Sequence, residues 1–120
     1  MRVGDARTAH ERSTANGAVS VLEPVELTDK ATGKCSTVSE VKAYGEVVLR
    51  FVSGDFAGPF LPNFEEVDIE PYSFGLQRID HCVGNVPELF EVTDYLMKIT
   101  GARRSVTREG SISQWDSSTG

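Results

Sequence analysis

The pattern of apolar and polar positions predicts a helix and then a strand at the start of the chain. Residues 5–16 favour a short helix, because an aspartate can cap its start and an Asn-Gly pair supplies a stop. Residues 18–27 alternate weakly between apolar and polar, and Pro24 indicates a strand at the edge of a sheet. A polar turn is expected around Gly33, after this strand.

The strongest strand signal is a pair of β-rich runs, residues 37–44 and 46–53, separated by Gly45. Two such runs joined by a short turn predict a hairpin. The second run is apolar on both faces, with Val47, Leu49 and Phe51 on one face and Val48 and Val52 beside Arg50 on the other. A strand of this kind is usually covered on both sides. Arg50 then requires a carboxylate partner or a route to solvent, and we expect a structural role for it.

Residues 54–75 change in character, because prolines, acids and aromatic residues alternate there without a helix or strand period. This composition predicts a linker. Its aromatic residues, Phe56, Phe60, Phe64 and Tyr72, are candidates for holding it against a surface. After it, residues 76–85 predict a strand. Residues 87–100 predict a helix with Pro87 in its first turn and Gly101 at its end. The element order predicts an α+β fold, the end of one βαβββ unit plus the start of the next.

Composition narrows the classes of function. The net charge of -6 and the pI near 4.8 argue against a nucleic-acid surface, which would require a basic face. No apolar run is long enough to span a membrane, and the first residues lack the apolar centre of a signal peptide, so a cytoplasmic protein is expected. Cys35 and Cys82 have no metal-site spacing, and we expect two reduced thiols.

The segment "RIDHCVGNVPEL" holds the one candidate chemical site. On a strand, Ile79, His81 and Val83 would share one face, while Asp80 and Cys82 would take the other. The first interpretation is a core histidine with backbone or carboxylate partners. The second is a metal ligand, since neutral imidazole is a common donor to iron or zinc. A non-haem Fe(II) site requires two histidines and a carboxylate. The other histidine, His10, lies in the polar helix of the first unit.

Three stretches, "EVKAYGEVVLRFVS", "FLPNFE" and "IDHCVGNVPEL", occur in an order and spacing that strongly resemble the 4-hydroxyphenylpyruvate dioxygenase family. The resemblance covers roughly residues 5–101. It implies the vicinal oxygen chelate fold, in which βαβββ units form half-open barrels. By resemblance, residues 1–54 would be the C-terminal part of a non-catalytic N-terminal domain, and residues 55–75 a linker. Residues 76–120 would be the start of the catalytic iron-binding domain, truncated and divergent after residue 101.

The same resemblance implies roles for individual residues. It also shows where this sequence departs from the family pattern. His81 matches the first Fe(II)-binding histidine, one of three protein ligands, and Val83 matches a position that lines the substrate pocket. Asp80, Gly84 and Asn85 belong to the motif, but turn and strand-end geometry explains them without a chemical role. The second histidine and the glutamate of the family lie on strands that this sequence does not contain. The acidic stretch "FEEVDIE" is a poor substitute, since a charge run in a linker is usually solvated. The family has an aromatic-rich strand at the position of residues 102–106, and this sequence fits that pattern poorly.

The activity implied is Fe(II)-dependent conversion of 4-hydroxyphenylpyruvate and O₂ to homogentisate and CO₂ in tyrosine catabolism. Because only one ligand is present, we expect the 120-residue chain alone to be inactive. Two alternatives stay open at this point. One is a hydroxymandelate synthase-like oxygenase, which uses the same substrate and iron. The other is a non-catalytic truncated remnant whose unpaired sheet edges favour a homo-oligomer or another partner.

Overall fold

The computed structural model describes residues 1–70, 72–106 and 114–115. The elements, in chain order, are α1 (Ala6–Ala15), β1 (Ser20–Thr28), β2 (Cys35–Tyr44), β3 (Val47–Gly54), α2 (Leu89–Thr100), β4 (Arg104–Val106) and β5 (Gln114–Trp115). Strands β1, β2 and β3 form an antiparallel sheet in that order, and β4 pairs with β5. The α+β class predicted from the sequence is confirmed, and most of the last residues lie outside the described part of the chain.

Both helices begin and end close to the predicted positions. Asp5 caps α1, and its carboxylate accepts hydrogen bonds from the Arg7 N–H (3.0 Å) and the Thr8 hydroxyl (2.7 Å). Helix α2 ends at Gly101, whose φ of 74° is the left-handed conformation typical of a helix stop. Pro87 precedes the N-cap of α2 instead of lying in its first turn. Within the described residues, no helix has the length and apolar character needed to cross a bilayer.

The predicted hairpin is confirmed as β2 and β3, which pair antiparallel with Val38 opposite Val52. Gly45 turns the chain between them at a φ of 49°. Strand β1 occupies an edge of the sheet, as Pro24 indicated, and its register with β2 shifts between Leu22 and Val25. Arg50 has the expected carboxylate partner, since its guanidinium lies 2.6 Å from Glu40 on the neighbouring strand.

A short N-terminal segment adds to the other edge of the sheet. Arg2 forms a parallel bridge with Val52, and the Val52 N–H donates to the Met1 carbonyl while the Val3 N–H donates to the Val52 carbonyl, both at 2.9 Å. A strand-like segment, helix α1 and three antiparallel strands therefore follow one another in the chain. This order is compatible with part of a βαβββ unit.

The core is shared between the sheet and both helices. Its buried members are Ala6, Val41, Ala43, Phe51, Leu96 and Ile99. Hydrogen bonds join α2 to α1 and to β2: the Ser13 hydroxyl donates to the Ile99 carbonyl (2.8 Å), and the Tyr95 hydroxyl donates to the Lys42 carbonyl (2.7 Å). Helix α2 is therefore fixed against α1 and β2, although the linker separates it from them in the sequence.

Several expectations about burial are wrong. Strand β3 was expected to be covered on both sides, but Val47 is 46% exposed and Val48, Leu49 and Val52 are only half-buried. The core shared with α1 and α2 lies on the Phe51 face of the strand, whereas Val48, Arg50 and Val52 on the opposite face are half-buried or exposed. In the linker, Phe56 is buried, whereas Phe60, Phe64 and Tyr72 are largely exposed. Only the first of the four aromatic residues therefore holds the linker to the fold.

The start of the linker is also held by a group of hydrogen bonds that we call the Asp29–Asn63 clasp. The buried carboxylate of Asp29 accepts from the Asn63 N–H (3.0 Å), the Thr32 N–H (2.9 Å) and the Thr32 hydroxyl (2.8 Å). The Asn63 side chain donates to the Thr28 carbonyl (2.9 Å) and accepts from the Lys30 N–H (3.0 Å). The clasp ties the linker to the turn between β1 and β2.

The clasp predicts a stability that depends on acid pH. The hydrogen bonds from Asn63, and then those from Thr32, lower the pKa of Asp29 below its ordinary value of 3.8. Because the folded state favours the ionised carboxylate, this contribution is present above pH 3.8 and is lost as the pH falls through the lower folded-state value.

Urea unfolding of the wild type and of Asp29→Asn, measured between about pH 2 and 7, checks this expectation. Asp29→Asn should be the less stable protein at neutral pH, and the difference between the two should shrink on acidification. Asp5→Asn should show the same convergence with the wild type, because the pKa of that carboxylate is also lowered, in this case first by the Thr8 hydroxyl. A difference between wild type and Asp29→Asn that stays constant across the acid range would contradict the role of the clasp.

Candidate functional site

The His81 segment, residues 76–86, connects the linker to α2 and is neither helix nor strand. The strand predicted there is wrong. A strand requires a partner for its backbone hydrogen bonds, and the described residues place no neighbouring strand beside this segment. The His81 side chain is 58% exposed, and Ile79 and Val83 are exposed as well. The interpretation of His81 as a core histidine is therefore also wrong.

Among the described residues, the close polar contact of His81 is to the residue before it. Its Nδ1 lies 2.8 Å from a carboxylate oxygen of Asp80. An ionised carboxylate can only accept a hydrogen bond, so this contact favours the tautomer with the proton on Nδ1. The Nε2 lone pair of a neutral ring is then available as a donor to a metal ion. Histidine ligands in metal sites are commonly oriented in this way by a carboxylate.

Sequence reasoning gave Asp80 no chemical role, since turn and strand-end geometry explained it, and on a regular strand it would face away from His81. Without a strand, neighbouring side chains are not forced to opposite faces, and the two groups meet. The pair is exposed, with the Asp80 side chain at 74% and that of His81 at 58%. The contact therefore orients the ring but contributes little to stability.

The other histidine, His10, is the one that lies in the core. It is 4% exposed, and its Nε2 lies 2.8 Å from the hydroxyl oxygen of Ser20, which in turn donates to Glu23 (3.2 Å). These contacts join α1 to β1. His10 serves the packing of the first unit and lies in a different part of the fold from the exposed His81 segment.

A metal ion would need several ligand side chains close together in the structure. Within residues 1–70, 72–106 and 114–115, no group of three or more His, Cys, Asp and Glu side chains could hold a metal ion. His81 has the properties of one ligand: an exposed ring, an orienting carboxylate and an available Nε2. The donor set fits Fe(II) only if the other ligands are supplied from outside the described residues.

Val83, the predicted substrate-lining residue, is 55% exposed. An open cleft of about 370 Å³ lies nearby, but its walls are the turn after β2 and the start of α2, including Tyr44, Glu88 and Tyr95. Neither Val83 nor His81 lines this cleft. The structure therefore does not test the predicted roles of Val83 as a substrate contact and of His81 as a metal ligand. Both stay predictions.

Comparison with known proteins finds several similar chains that are named 4-hydroxyphenylpyruvate dioxygenase. One from Daucus carota is 44% identical over 106 residues, which is 84% of this chain and 23% of the relative. One from Arabidopsis thaliana is 41% identical over 108 residues, with the same shares. One from Pyricularia oryzae is 39% identical over 92 residues, 71% of this chain and 22% of the relative. No family model matches the chain.

These matches confirm the resemblance predicted from the sequence, and they confirm that it is partial. The chain spans about a quarter of the length of the relatives that it matches. A continuous match over 84% of the chain necessarily includes the His81 segment, because too few residues remain outside it. The chain is thus homologous to one part of a longer enzyme.

Proposed function

We propose that this chain supplies part of a 4-hydroxyphenylpyruvate dioxygenase, which converts 4-hydroxyphenylpyruvate and O₂ to homogentisate and CO₂ in tyrosine catabolism. The observation that carries the proposal is the identity of 41–44% to the Daucus carota and Arabidopsis thaliana relatives over 84% of the chain. The activity belongs to a protein of the relatives' length. A cytoplasmic location is proposed with it.

Within that enzyme, we assign residues 1–54 to the end of a non-catalytic N-terminal domain of the vicinal oxygen chelate fold. Residues 55–75 are the linker, and residues 76–120 are the start of the catalytic domain. The order of the N-terminal segment, α1 and the three-stranded sheet supports the first assignment. The described residues between β3 and α2 contain no helix or strand, which supports the second.

His81 is the proposed first ligand that would hold Fe(II), and Asp80 contacts its Nδ1, which would leave Nε2 available as the donor to the metal. Val83, two residues further along, is the proposed substrate contact. When bound, Fe(II) supplies the redox chemistry that activates dioxygen and decarboxylates the 2-oxo acid. This chain contributes the orientation of one imidazole and one apolar side chain beside it.

A non-catalytic remnant is the second candidate function. The observation that favours it is the ligand count: the described residues form no group of three or more His, Cys, Asp and Glu side chains that could hold a metal ion. One imidazole cannot compete with water and buffer for Fe(II). Iron-dependent turnover by a protein that contains the missing ligands separates the two candidates.

The test compares the 120-residue chain with a chimera in which this chain replaces the matching region of the Daucus carota relative. Homogentisate formation and oxygen uptake are measured with Fe(II) and 4-hydroxyphenylpyruvate. We expect the chimera to turn over and the chain alone to remain at the metal-only control. The parent relative, assayed in parallel, is the positive control.

Two results would count against this proposal. A folded chimera that forms no homogentisate while the parent enzyme is active would show that this region does not fulfil the enzyme's role. Turnover by the isolated chain would show that its own residues complete an iron site, contrary to the ligand count.

A further inference from the structure

Gly84 lies directly against the ring of Tyr44. A Cβ added to Gly84 would be 2.0 Å from the Tyr44 hydroxyl oxygen and 2.7 Å from Cζ. Real Cβ contacts are essentially never shorter than 3.0 Å. Gly84 is not one of the glycines with a positive φ, so its backbone conformation does not demand glycine. The explanation from turn geometry is therefore wrong for Gly84, and what demands glycine is the space that the tyrosine ring fills.

Tyr44 is itself held in place at the end of β2. It pairs with Val47 across the hairpin, and the tight turn at Gly45 follows it directly. Its ring is half-buried and lines the cleft of about 370 Å³, together with Pro87 and Val92 around the start of α2. The ring therefore stands between the backbone before α2 and the first turns of α2.

A second contact fixes the same region to the same strand. The Tyr95 hydroxyl donates to the Lys42 carbonyl at 2.7 Å, two residues before Tyr44 in β2. The chain from Gly84 to Tyr95 is thus held to β2 at both ends. Residues 72–83, upstream of Gly84, are exposed, as Gly84 itself is.

His81 lies three residues before Gly84, and three extended residues span at most about 11 Å. The position of Gly84 therefore limits where the His81 ring can reach. We propose that Tyr44, which belongs to the first unit, is a positioning residue for His81. It acts by packing against the backbone of Gly84, which has no side chain. The role as a positioning residue for an iron ligand rests on the proposed function, whereas the contact itself does not.

The contact is tested first in the 120-residue chain by nuclear magnetic resonance. We expect nuclear Overhauser effects between the Gly84 Hα protons and the Tyr44 ring protons. Gly84→Ala should displace the segment, so that the amide signals of His81 and of the residues around Tyr44 shift together. Gly4→Ala is the matched control, since nothing lies within 4 Å of a Cβ there and Gly4 has no positive φ.

A double substitution distinguishes direct steric contact between Gly84 and Tyr44 from a general disturbance of the fold. In a Tyr44→Ala background, adding Gly84→Ala should shift the His81 amide signal several-fold less than it does in the wild type. Tyr44→Phe is the milder variant that keeps the ring and removes the closest atom, so it should rescue Gly84→Ala in part. The proposal is overturned if the Overhauser effects are absent. It is equally overturned if Gly84→Ala shifts the His81 signal no more than Gly4→Ala, or equally in both backgrounds.

The chimera then connects the contact to the iron site. Tyr44→Ala should weaken Fe(II) binding by about 10-fold or more, as the loss of groups that orient ligands commonly does. Unchanged Fe(II) affinity in Tyr44→Ala overturns the positioning role. Turnover by the unsubstituted chimera reports on the proposed function separately, because the resonance measurements require neither iron nor substrate.

Discussion

His81→Ala, introduced into the chimera with the Daucus carota relative, is expected to reduce homogentisate formation by more than about 100-fold and to remove tight Fe(II) binding. Loss of an outer partner of a ligand already costs about 10–100-fold in metal affinity or activity, so loss of the ligand itself should exceed that range. Calorimetric Fe(II) titration and a homogentisate assay measure the two effects.

Two neighbouring substitutions define the control for His81→Ala. Asp80→Asn keeps the size of the side chain but replaces the carboxylate that contacts the His81 Nδ1 at 2.8 Å. It should reduce Fe(II) affinity and homogentisate formation by less than His81→Ala does. Arg78→Ala removes an exposed side chain from the same segment and should leave Fe(II) affinity unchanged. A His81→Ala chimera that still binds one equivalent of Fe(II) as tightly as the parent would exclude His81 as a ligand.

Phe51→Ala is expected to remove much of the stability of the fold. Phe51 is 3% exposed and belongs to the core shared by Ala6, Val41 and the α2 residues Leu96 and Ile99. Truncation of a buried phenylalanine typically costs about 3–5 kcal/mol, and domains of ordinary stability unfold at about 5–15 kcal/mol. Urea unfolding followed by circular dichroism measures the loss.

Phe60→Ala is the matched control, because the same side chain is removed where it is 75% exposed. Surface substitutions of this kind usually change the free energy of unfolding by no more than about 0.5 kcal/mol. If the two variants unfold at the same urea concentration, the core assigned to Phe51 is wrong.

The elements that could be predicted are those whose signals are local. A capping aspartate and an Asn-Gly stop defined α1, and a single glycine between two β-rich runs defined the hairpin. Gly101 ended α2 where its left-handed conformation was needed. These residues act through their own backbone or through neighbours in sequence, so a pattern of a few residues contains the information.

Burial could not be predicted in the same way, because it depends on which elements meet. The His81 run has the composition of a strand, but no partner strand lies beside it in the described residues. The reverse error concerns His10, which the sequence places in a polar helix but which is buried in the structure. A usable signal was present, since Ala6, His10 and Ser13 are spaced for one face of a helix and are all buried. The role of Gly84 required the position of Tyr44, 40 residues earlier, which no local pattern contains.

The sheet order β1-β2-β3 also has a consequence for how the chain folds during synthesis. Both pairings among these three strands, β1 with β2 and β2 with β3, join neighbours in sequence, and contacts of short sequence separation form fastest. The strands can therefore pair as soon as residue 54 has left the ribosome. By contrast, the bond between Ser13 and Ile99 joins residues 86 positions apart. Helix α2 and the histidine segment before it thus emerge after the sheet, onto a strand surface that has already formed.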